Sequence, residues 1–218
     1  SELSKYFYKE ALFQQYALNI KGGNDKAKFL ISAGNDRNNN NEIGSQFNRF
    51  TINTNSTFKP ISRLEISTIL NYTNSSTASN SNAGSLISPG ALYPYAKLAD
   101  EHGNPLAVNK YFRQSFLDNS LKIGLLDWSY RPLAELNSSD NTSNASAIRI
   151  NTGMKYEIWN GLSAEVRYQF EKTMGNGRNR YDLKTYTAKN LINQYTLISG
   201  DKIQDYNIPI GEILELSN

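Results

Sequence analysis

Cysteine is absent from this 218-residue chain and histidine occurs once, so disulfide frameworks, thiolate nucleophiles and Cys-ligated metals are excluded. Long hydrophobic runs are also absent: no stretch approaches the roughly 18 consecutive apolar residues that a membrane-spanning helix needs. Neither sign of charge dominates, because 23 Lys and Arg residues stand against 20 Asp and Glu residues. The net charge of +3 is too small to predict a nucleic-acid partner or an anionic membrane.

Alternating apolar and polar residues are what the chain has instead, most clearly within residues 146–173. Ile148 and Ile150, for example, alternate with Arg149 and Asn151. The same pattern occurs in two runs of residues, one before and one after residues 158–161. A period of two residues predicts β-strands, because successive side chains leave opposite faces of a pleated ribbon. Asn160-Gly161 lies between the two runs and predicts a tight hairpin turn.

Six strands in three hairpins follow from this pattern. The predicted turns within hairpins are short, near residues 22–26, 58–62 and 158–161, and we expect Pro60 to end the third strand. The connections between hairpins are longer and rich in Asn and Ser, at 35–45, 74–145 and 172–218. We expect a lead-in segment at 1–13, four strands at 14–73, a long extracellular loop at 74–145, a hairpin at 146–173 and a second extracellular loop at 174–218. Alternating short and long connections place all short turns at one end of the sheet, as in outer-membrane barrels.

Strand length favours a membrane. The strands of the 146–173 hairpin have about ten residues, which is the length of a tilted bilayer-crossing strand rather than the usual 5–6. We therefore predict an all-β fold, an antiparallel up-and-down transmembrane β-barrel segment with about six strands of a larger barrel. The predicted lipid-facing residues are Leu18, Ile20, Ile31, Ile52, Leu64, Ile66, Ile148, Ile150, Leu162 and Val166. The predicted aromatic girdle at the membrane interfaces consists of Phe58, Tyr72, Trp159 and Phe170.

The alternation by itself also fits a soluble antiparallel sheet with one half-buried face. In that alternative the chain is a soluble or surface-exposed glycan-binding module or adhesin. Four aromatic residues of the long loop are candidates for contact with a substrate or a lid protein: Tyr93, Tyr95, Trp128 and Tyr130. We favour the interpretation in which these rings pack on one another as the core of the loop, because so long a loop needs one.

Catalytic chemistry has little support. His102 stands in Asp-Glu-His-Gly-Asn, a composition typical of turns. The acidic stretch 36–42 lacks the central glycine and the ligand spacing of a calcium loop. Glu157, Glu165 and Glu171 share the polar strand face with basic residues, which indicates a solvated wall. We expect no enzyme activity, no catalytic residue, no metal and no cofactor.

Four short strings, in order, carry a family resemblance over roughly residues 14–215. Residues 16–29 resemble the Gly-Gly hairpin of the SusC/RagA family of TonB-linked (TonB-dependent) outer-membrane transporters, and Phe47–Asn55 is similar to the strand that follows it. Leu92–Pro105 resembles the family's Tyr-Pro and Gly-Asn loop, and Tyr130–Asn137 its Asn-Pro-Leu-Ala segment. The chain is thus identified as an internal barrel segment of that family.

The resemblance implies a barrel of about 22 strands with a plug, in the bacterial outer membrane. It implies import of oligosaccharide or peptide nutrients, energised by TonB through an N-terminal region that this chain does not include. The implied partners are the remaining barrel strands and plug, a SusD-like lipoprotein lid, the solute and outer-membrane lipid. The strands would form the barrel wall, and the loops the outer mouth and the rim on which the lid docks.

Overall fold

The structure is a computed structural model that describes residues 2–79, 95–136 and 138–217. Its strands are β1 (Leu12–Gly23), β2 (Ala27–Asn39), β3 (Gln46–Ile61), β4 (Leu64–Ser79), β5 (Ser139–Trp159), β6 (Leu162–Tyr181), β7 (Thr196–Ser199), β8 (Lys202–Tyr206) and β9 (Ile213–Ser217). Its helices are α1 (Glu2–Phe7), α2 (Gln114–Lys122), α3 (Pro132–Glu135) and α4 (Tyr186–Gln194). None of the helices in the described residues is both long and apolar enough to cross a membrane.

A seven-stranded antiparallel sheet with the order β1-β2-β3-β4-β5-β6-β9 forms the body of the molecule. The prediction of an antiparallel all-β fold is confirmed, and the six expected strands are its six long members. The sheet is open rather than closed: the outer side of β1 has no partner among the described strands, and β9 pairs with only Gly177–Tyr181 of β6. The strands β7 and β8 form a separate small hairpin.

Turn chemistry explains two of the three short connections. Between β1 and β2, the Asn24 side chain accepts hydrogen bonds from the backbone N–H groups of Lys26 and Ala27, each at 2.9 Å. Between β5 and β6, Gly161 has φ of 91°, a conformation that few other residues adopt easily. The hairpin predicted from Asn160-Gly161 is therefore confirmed.

The expected end of the third strand at Pro60 is wrong. The strand β3 continues to Ile61, and the ladder shifts register between Phe58 and Ile61. A proline lacks the N–H that a regular ladder needs, but an irregularity removes that need. The turn of this hairpin consequently falls at residues 62–63.

The strands also extend further into the Asn/Ser-rich stretches than the alternation indicates. The expected loop at 35–45 is strand as far as Asn39, and β4 and β5 reach Ser79 and Ser139. The long connection between those two strands therefore starts later and ends earlier than the predicted boundaries of 74–145, and β6 continues to Tyr181. Both faces are polar in these extensions. The strands therefore continue through residues that lack the alternation of apolar and polar side chains from which strands are predicted.

The buried core lies outside the sheet, among the long connections. It contains Phe7, Leu98, Leu117, Leu125, Trp128, Tyr130 and Tyr186, and we call these residues and their packing partners the loop core. They come from before β1, from between β4 and β5, and from after β6. The lead-in segment and the two expected loops thus fold against one another.

Local sequence signals fix the helices of the loop core. The Oγ1 atom of Thr185 caps α4 by accepting a hydrogen bond from the backbone N–H of Ala188 at 3.2 Å. A proline, Pro132, begins α3, where its missing N–H costs nothing. The Asn193 side chain bonds both the N–H and the carbonyl of Leu126, at 3.0 and 2.9 Å, and so joins α4 to the segment after α2.

Candidate functional site

The sheet register places one set of apolar side chains on a single side. Directly opposed residues of antiparallel neighbours point to the same side of a sheet. One ladder row contains Ile20, Ile31, Thr54, Leu70, Ile150 and Phe170 in successive strands. By the same alternation all ten residues predicted to meet lipid lie on this side, which we call the apolar face; contact with lipid itself stays a prediction.

The apolar face has no covering layer among the described residues. Leu18 is 62% exposed and Val166 is 66% exposed, and every member of the predicted lipid-facing set is exposed or half-buried. Monomeric soluble proteins rarely expose contiguous apolar patches of more than a few hundred Å². This face, which crosses six strands, therefore needs a partner or an apolar solvent.

Polar side chains bound the apolar face on the side of the long connections. The ladder row there contains Gln14, Arg37, Asn48, Ser76, Asn144 and Asn176. Of the predicted girdle residues, Tyr72 lies two rows of this face inside the boundary and Phe170 three rows inside it, in the row of Ile150, while Phe58 and Trp159 lie near the short turns. On β5 the apolar positions run from Tyr156 to Ile148, about 26 Å along the strand.

The three hairpins are staggered by a constant step. Lys28, Ser67 and Arg167 lie in one ladder row. Measured from this row toward the short turns, β2 begins one residue away, β4 three residues away and β6 five residues away. The offset between the starts of β2 and β6 is therefore four residues, or about 13 Å along the strands. The two strands are separated by four strand spacings, or about 19 Å. If the short turns lie at one level, the strands therefore tilt by about 35°, which is within the range of barrel strands.

The opposite side of the sheet, the polar face, carries paired charges. Arg149 meets Glu171 of the neighbouring strand through two hydrogen bonds of 3.0 Å. Arg167 lies 2.6 Å from Glu165 on the same strand, and other pairs on this face include Asp36 with Arg49 at 2.6 Å. The predicted wall of interspersed charges is present, and these exposed pairs contribute little to stability.

Small residues leave a hollow in the polar face. A cavity of about 430 Å³ opens there, lined mainly by Ser67, Ile69, Asn151, Gly153, Arg167 and Gln169. A Cβ at Gly153 would lie only 2.8 Å from the Ser67 Oγ atom. A larger residue at position 153 would therefore force the Ser67 hydroxyl to move.

The four candidate loop aromatics divide into three groups. Trp128 and Tyr130 are 7% and 3% exposed and belong to the loop core, as in the packing interpretation. Tyr95 is 95% exposed and remains available for contact with a partner. Tyr93 lies outside the described residues.

The loop core contains a buried carboxylate, Glu135, and an exposed cation, Lys110, which lies beside three tyrosine rings. Its Nζ atom is 4.3 Å from the ring centroid of Tyr130, 5.0 Å from that of Tyr186 and 5.3 Å from that of Tyr111. Burial lowers the pKa of Lys110, and the charge of Glu135 opposes this. Burial also raises the pKa of the 3%-exposed Glu135, whose carboxylate accepts a hydrogen bond from the Tyr186 backbone N–H at the start of α4. These contacts tie the two long connections together.

A second cavity in the loop core, of about 670 Å³, lies between α2 and the β7–β8 hairpin. Phe116, Ile123 and Trp128 give it an apolar lining, and Lys122 and Asp201 stand at its edge. The Trp128 Nε1–H donates to the Asn190 side chain at 3.1 Å, which fixes the indole on one side. The cavity can accept a small apolar group, but its lining has no arrangement of nucleophile and base.

His102 is part of a tight turn. Its backbone N–H donates to Asp100 Oδ1 at 2.9 Å, and both Asn104 nitrogens donate to the same carboxylate at 2.8 Å. These hydrogen bonds, chiefly those from Asn104, lower the pKa of Asp100. Within the part of the chain that the structure describes, no group of His, Cys, Asp and Glu residues could hold a metal ion.

Several features of these sites are not visible in the sequence. Lys110, Glu135 and Tyr186 are brought together from distant segments, and no spacing rule connects them. The hollow at Gly153 depends on a cross-strand register that is fixed only by the structure. The Asn residues above the apolar face look like loop residues until the ladder aligns them. No protein-family model matches the chain, and no curated protein matches it either.

Proposed function

We propose that the chain forms part of the wall of a TonB-dependent outer-membrane transporter, of the SusC/RagA kind that the sequence resembles, and that this transporter imports oligosaccharide or peptide nutrients. The observation that carries the proposal is the exposed apolar face, crossed by strands with barrel-like stagger. Tilted by about 35°, the 26 Å of apolar positions on β5 project to about 22 Å. This is close to the apolar band of about 25 Å on outer-membrane barrels.

A lipid environment explains why the apolar face can be exposed. In water, the exposed Leu18 and Val166 side chains would favour aggregation, whereas lipid tails satisfy them. The polar face then lines an aqueous passage, and its paired charges suit a lumen for polar solutes.

The open edges require partners. An unpaired strand edge in lipid costs several kcal/mol for each exposed backbone group, so β1 and the free length of β6 must meet further strands. In the proposal these are the remaining strands of the barrel, which also encloses the plug. The loop core then stands at the outer mouth, where it offers a rim to a SusD-like lid, and TonB acts through a region beyond this chain.

A cysteine experiment tests the orientation of the sheet directly, because the chain has no cysteine of its own. We expect Ile150→Cys, on the apolar face, to resist a membrane-impermeant maleimide in intact outer membranes and to react after denaturation. The neighbouring variant Asn151→Cys, on the polar face, should react at least tenfold faster in the intact membrane. Equal rates for the two variants, or recovery of the protein from the fraction without membranes, would overturn the proposal.

Glycan binding by the loop core is the second candidate, and the 95% exposure of Tyr95 favours it. An exposed ring on a folded loop is a platform for the apolar face of a sugar. In this case Tyr95→Ala abolishes glycan binding by protein that needs no detergent. Binding measured with and without detergent separates this candidate from the transporter.

A further inference from the structure

A polar pocket lies on the same side of the sheet as the apolar face, at the boundary row that contains Asn144 and Asn176. Its volume is about 330 Å³, and its lining on this side consists of Tyr72, Asn74, Asn144, Ser146, Met174 and Asn176. These residues come from β4, β5 and β6 and occupy adjacent ladder rows. Three amides and two hydroxyls therefore converge at the place where the face changes from apolar to polar.

Among the described residues, no other side chain forms a hydrogen bond with any of these three amides. Elsewhere on the sheet asparagines do pair, as Asn71 does with Asn53 at 2.7 Å on the polar face. The amides of Asn74, Asn144 and Asn176 are instead exposed and free to donate outward. A ligand that presents several acceptor oxygens fits this arrangement.

The charges on this face lie at or above the pocket, and their excess is positive. Lys172 is opposite Ile148, in the same row as the pocket residue Tyr72, and Arg37 is in the same row as Asn144. Neither basic residue forms an ion pair with any described residue. Arg178, higher on β6, is already paired with Asp140 at 2.5 Å. The chain's small net charge conceals this local excess.

We infer that the pocket binds the phosphate-bearing headgroup of an anionic membrane lipid. The inference rests on the proposed function, since it requires the apolar face to meet lipid. The Lys172 ammonium pairs with the phosphate, the amides of Asn144 and Asn176 donate to its oxygens, and the acyl chains lie on Ile148, Ile150 and the rows below. Basic groups beside a membrane-facing surface recognise anionic headgroups in this way.

Lipid retention by the detergent-extracted protein tests the inference. Delipidated protein is titrated with phosphatidylglycerol in mixed micelles, and the bound lipid is counted by native mass spectrometry. We expect Lys172→Gln to weaken binding about fivefold, the effect of one basic group near a lipid surface. Lys172→Arg should keep most of the affinity, and the matched control Lys155→Gln, on the polar face, should bind as the unmodified protein does.

A second pair of variants keeps the test independent of charge. Asn144→Leu removes an amide from the pocket and should weaken phosphatidylglycerol binding several-fold, whereas Asn151→Leu on the polar face should not. Equal binding of phosphatidylcholine, or equal loss in the paired variants, would overturn the headgroup site. Binding of inorganic phosphate as tight as that of the lipid would mean an adventitious ion only.

The outcomes also separate this inference from the proposed function. If the protein is extracted from membranes but shows no preference for the anionic lipid, the headgroup site is refuted and the transporter proposal stands. If the protein does not enter the membrane fraction at all, both proposals are refuted.

Discussion

Substitution of Val166 by arginine is the sharpest perturbation of the sheet. Val166 is the middle residue of the apolar run on β6 that begins at Leu162 and ends at Phe170, and it is 66% exposed. In water an arginine at so exposed a position changes stability by less than about 0.5 kcal/mol. At the centre of a bilayer the same substitution on a barrel strand costs about 2–4 kcal/mol.

That difference corresponds to a thirty-fold to several hundred-fold shift of the folding equilibrium. We expect Val166→Arg to lower the urea midpoint of unfolding in lipid vesicles and to reduce the amount of protein assembled in the outer membrane. The matched control is Gln169→Arg, three residues along the same strand but on the polar face, where Glu171 is near enough to pair with the new charge. This variant should assemble normally.

The reasoning is refuted if both arginine variants unfold at the same urea concentration and assemble in equal amounts. Such a result would mean that the two faces meet the same solvent. It would favour the soluble alternative, in which the apolar face is covered by another protein.

Three further predictions concern the loop core and the polar face. Lys110→Gln removes the cation from its three tyrosine rings and should destabilise the loop core by about 0.5–1 kcal/mol, the value for an exposed cation–π contact, whereas Lys110→Arg should keep part of the stabilisation. Burial opposes ionisation of Asp127, but hydrogen bonds from Ser129 and Arg131 outweigh it and lower the pKa of Asp127 to about 2. The stabilisation is complete above the unfolded pKa of about 4 and is lost as the pH falls to 2, by about 1 kcal/mol for this one-third-exposed side chain. Gly153→Ala should destabilise the sheet by about 1–3 kcal/mol, and Ser67→Ala should restore it.

Tryptophan fluorescence measures the first two of these effects, because Trp128 lies in the loop core and Trp159 can be replaced by phenylalanine. An unchanged unfolding midpoint in Lys110→Gln would contradict the role given to the cation. A pH dependence that survives in Asp127→Asn would assign the acid transition to another group. The glycine prediction is checked by urea unfolding, and a Ser67→Ala change without rescue would show that the close approach is not the cause.

The sheet could be predicted from the sequence because its face is half apolar. Ile148, Ile150 and Val166 alternate with charged and polar residues, and this alternation specifies both the strand and the face to which each side chain points. The extensions of β2, β4 and β5 escaped prediction because a strand that is polar on both sides has no periodicity to detect. The prediction that Pro60 ends the third strand was wrong for a different reason. Proline is excluded from a strand only where the hydrogen-bond ladder is regular.

The sequence could predict that the long loop has a packed core, but not which residues form it. A loop of that length with Trp128 and Tyr130 indicates internal packing. That Phe7 and Tyr186 complete the core could not be deduced, since Phe7 comes from the lead-in segment and Tyr186 from the connection after the sixth strand. Buried Glu135 is a similar case, because its partners come from two other segments.

The way in which the loop core is assembled also sets an order of folding. Its residues arrive from three places, Phe7 before the first strand, Trp128 between the second and third hairpins, and Tyr186 after the sixth strand. Each hairpin closes a short segment, whereas the loop core must wait until contacts across most of the chain are in place. We therefore expect the hairpins to form first and the loop core last, so that hydrogen-exchange labelling during refolding protects β5 and β6 before α4.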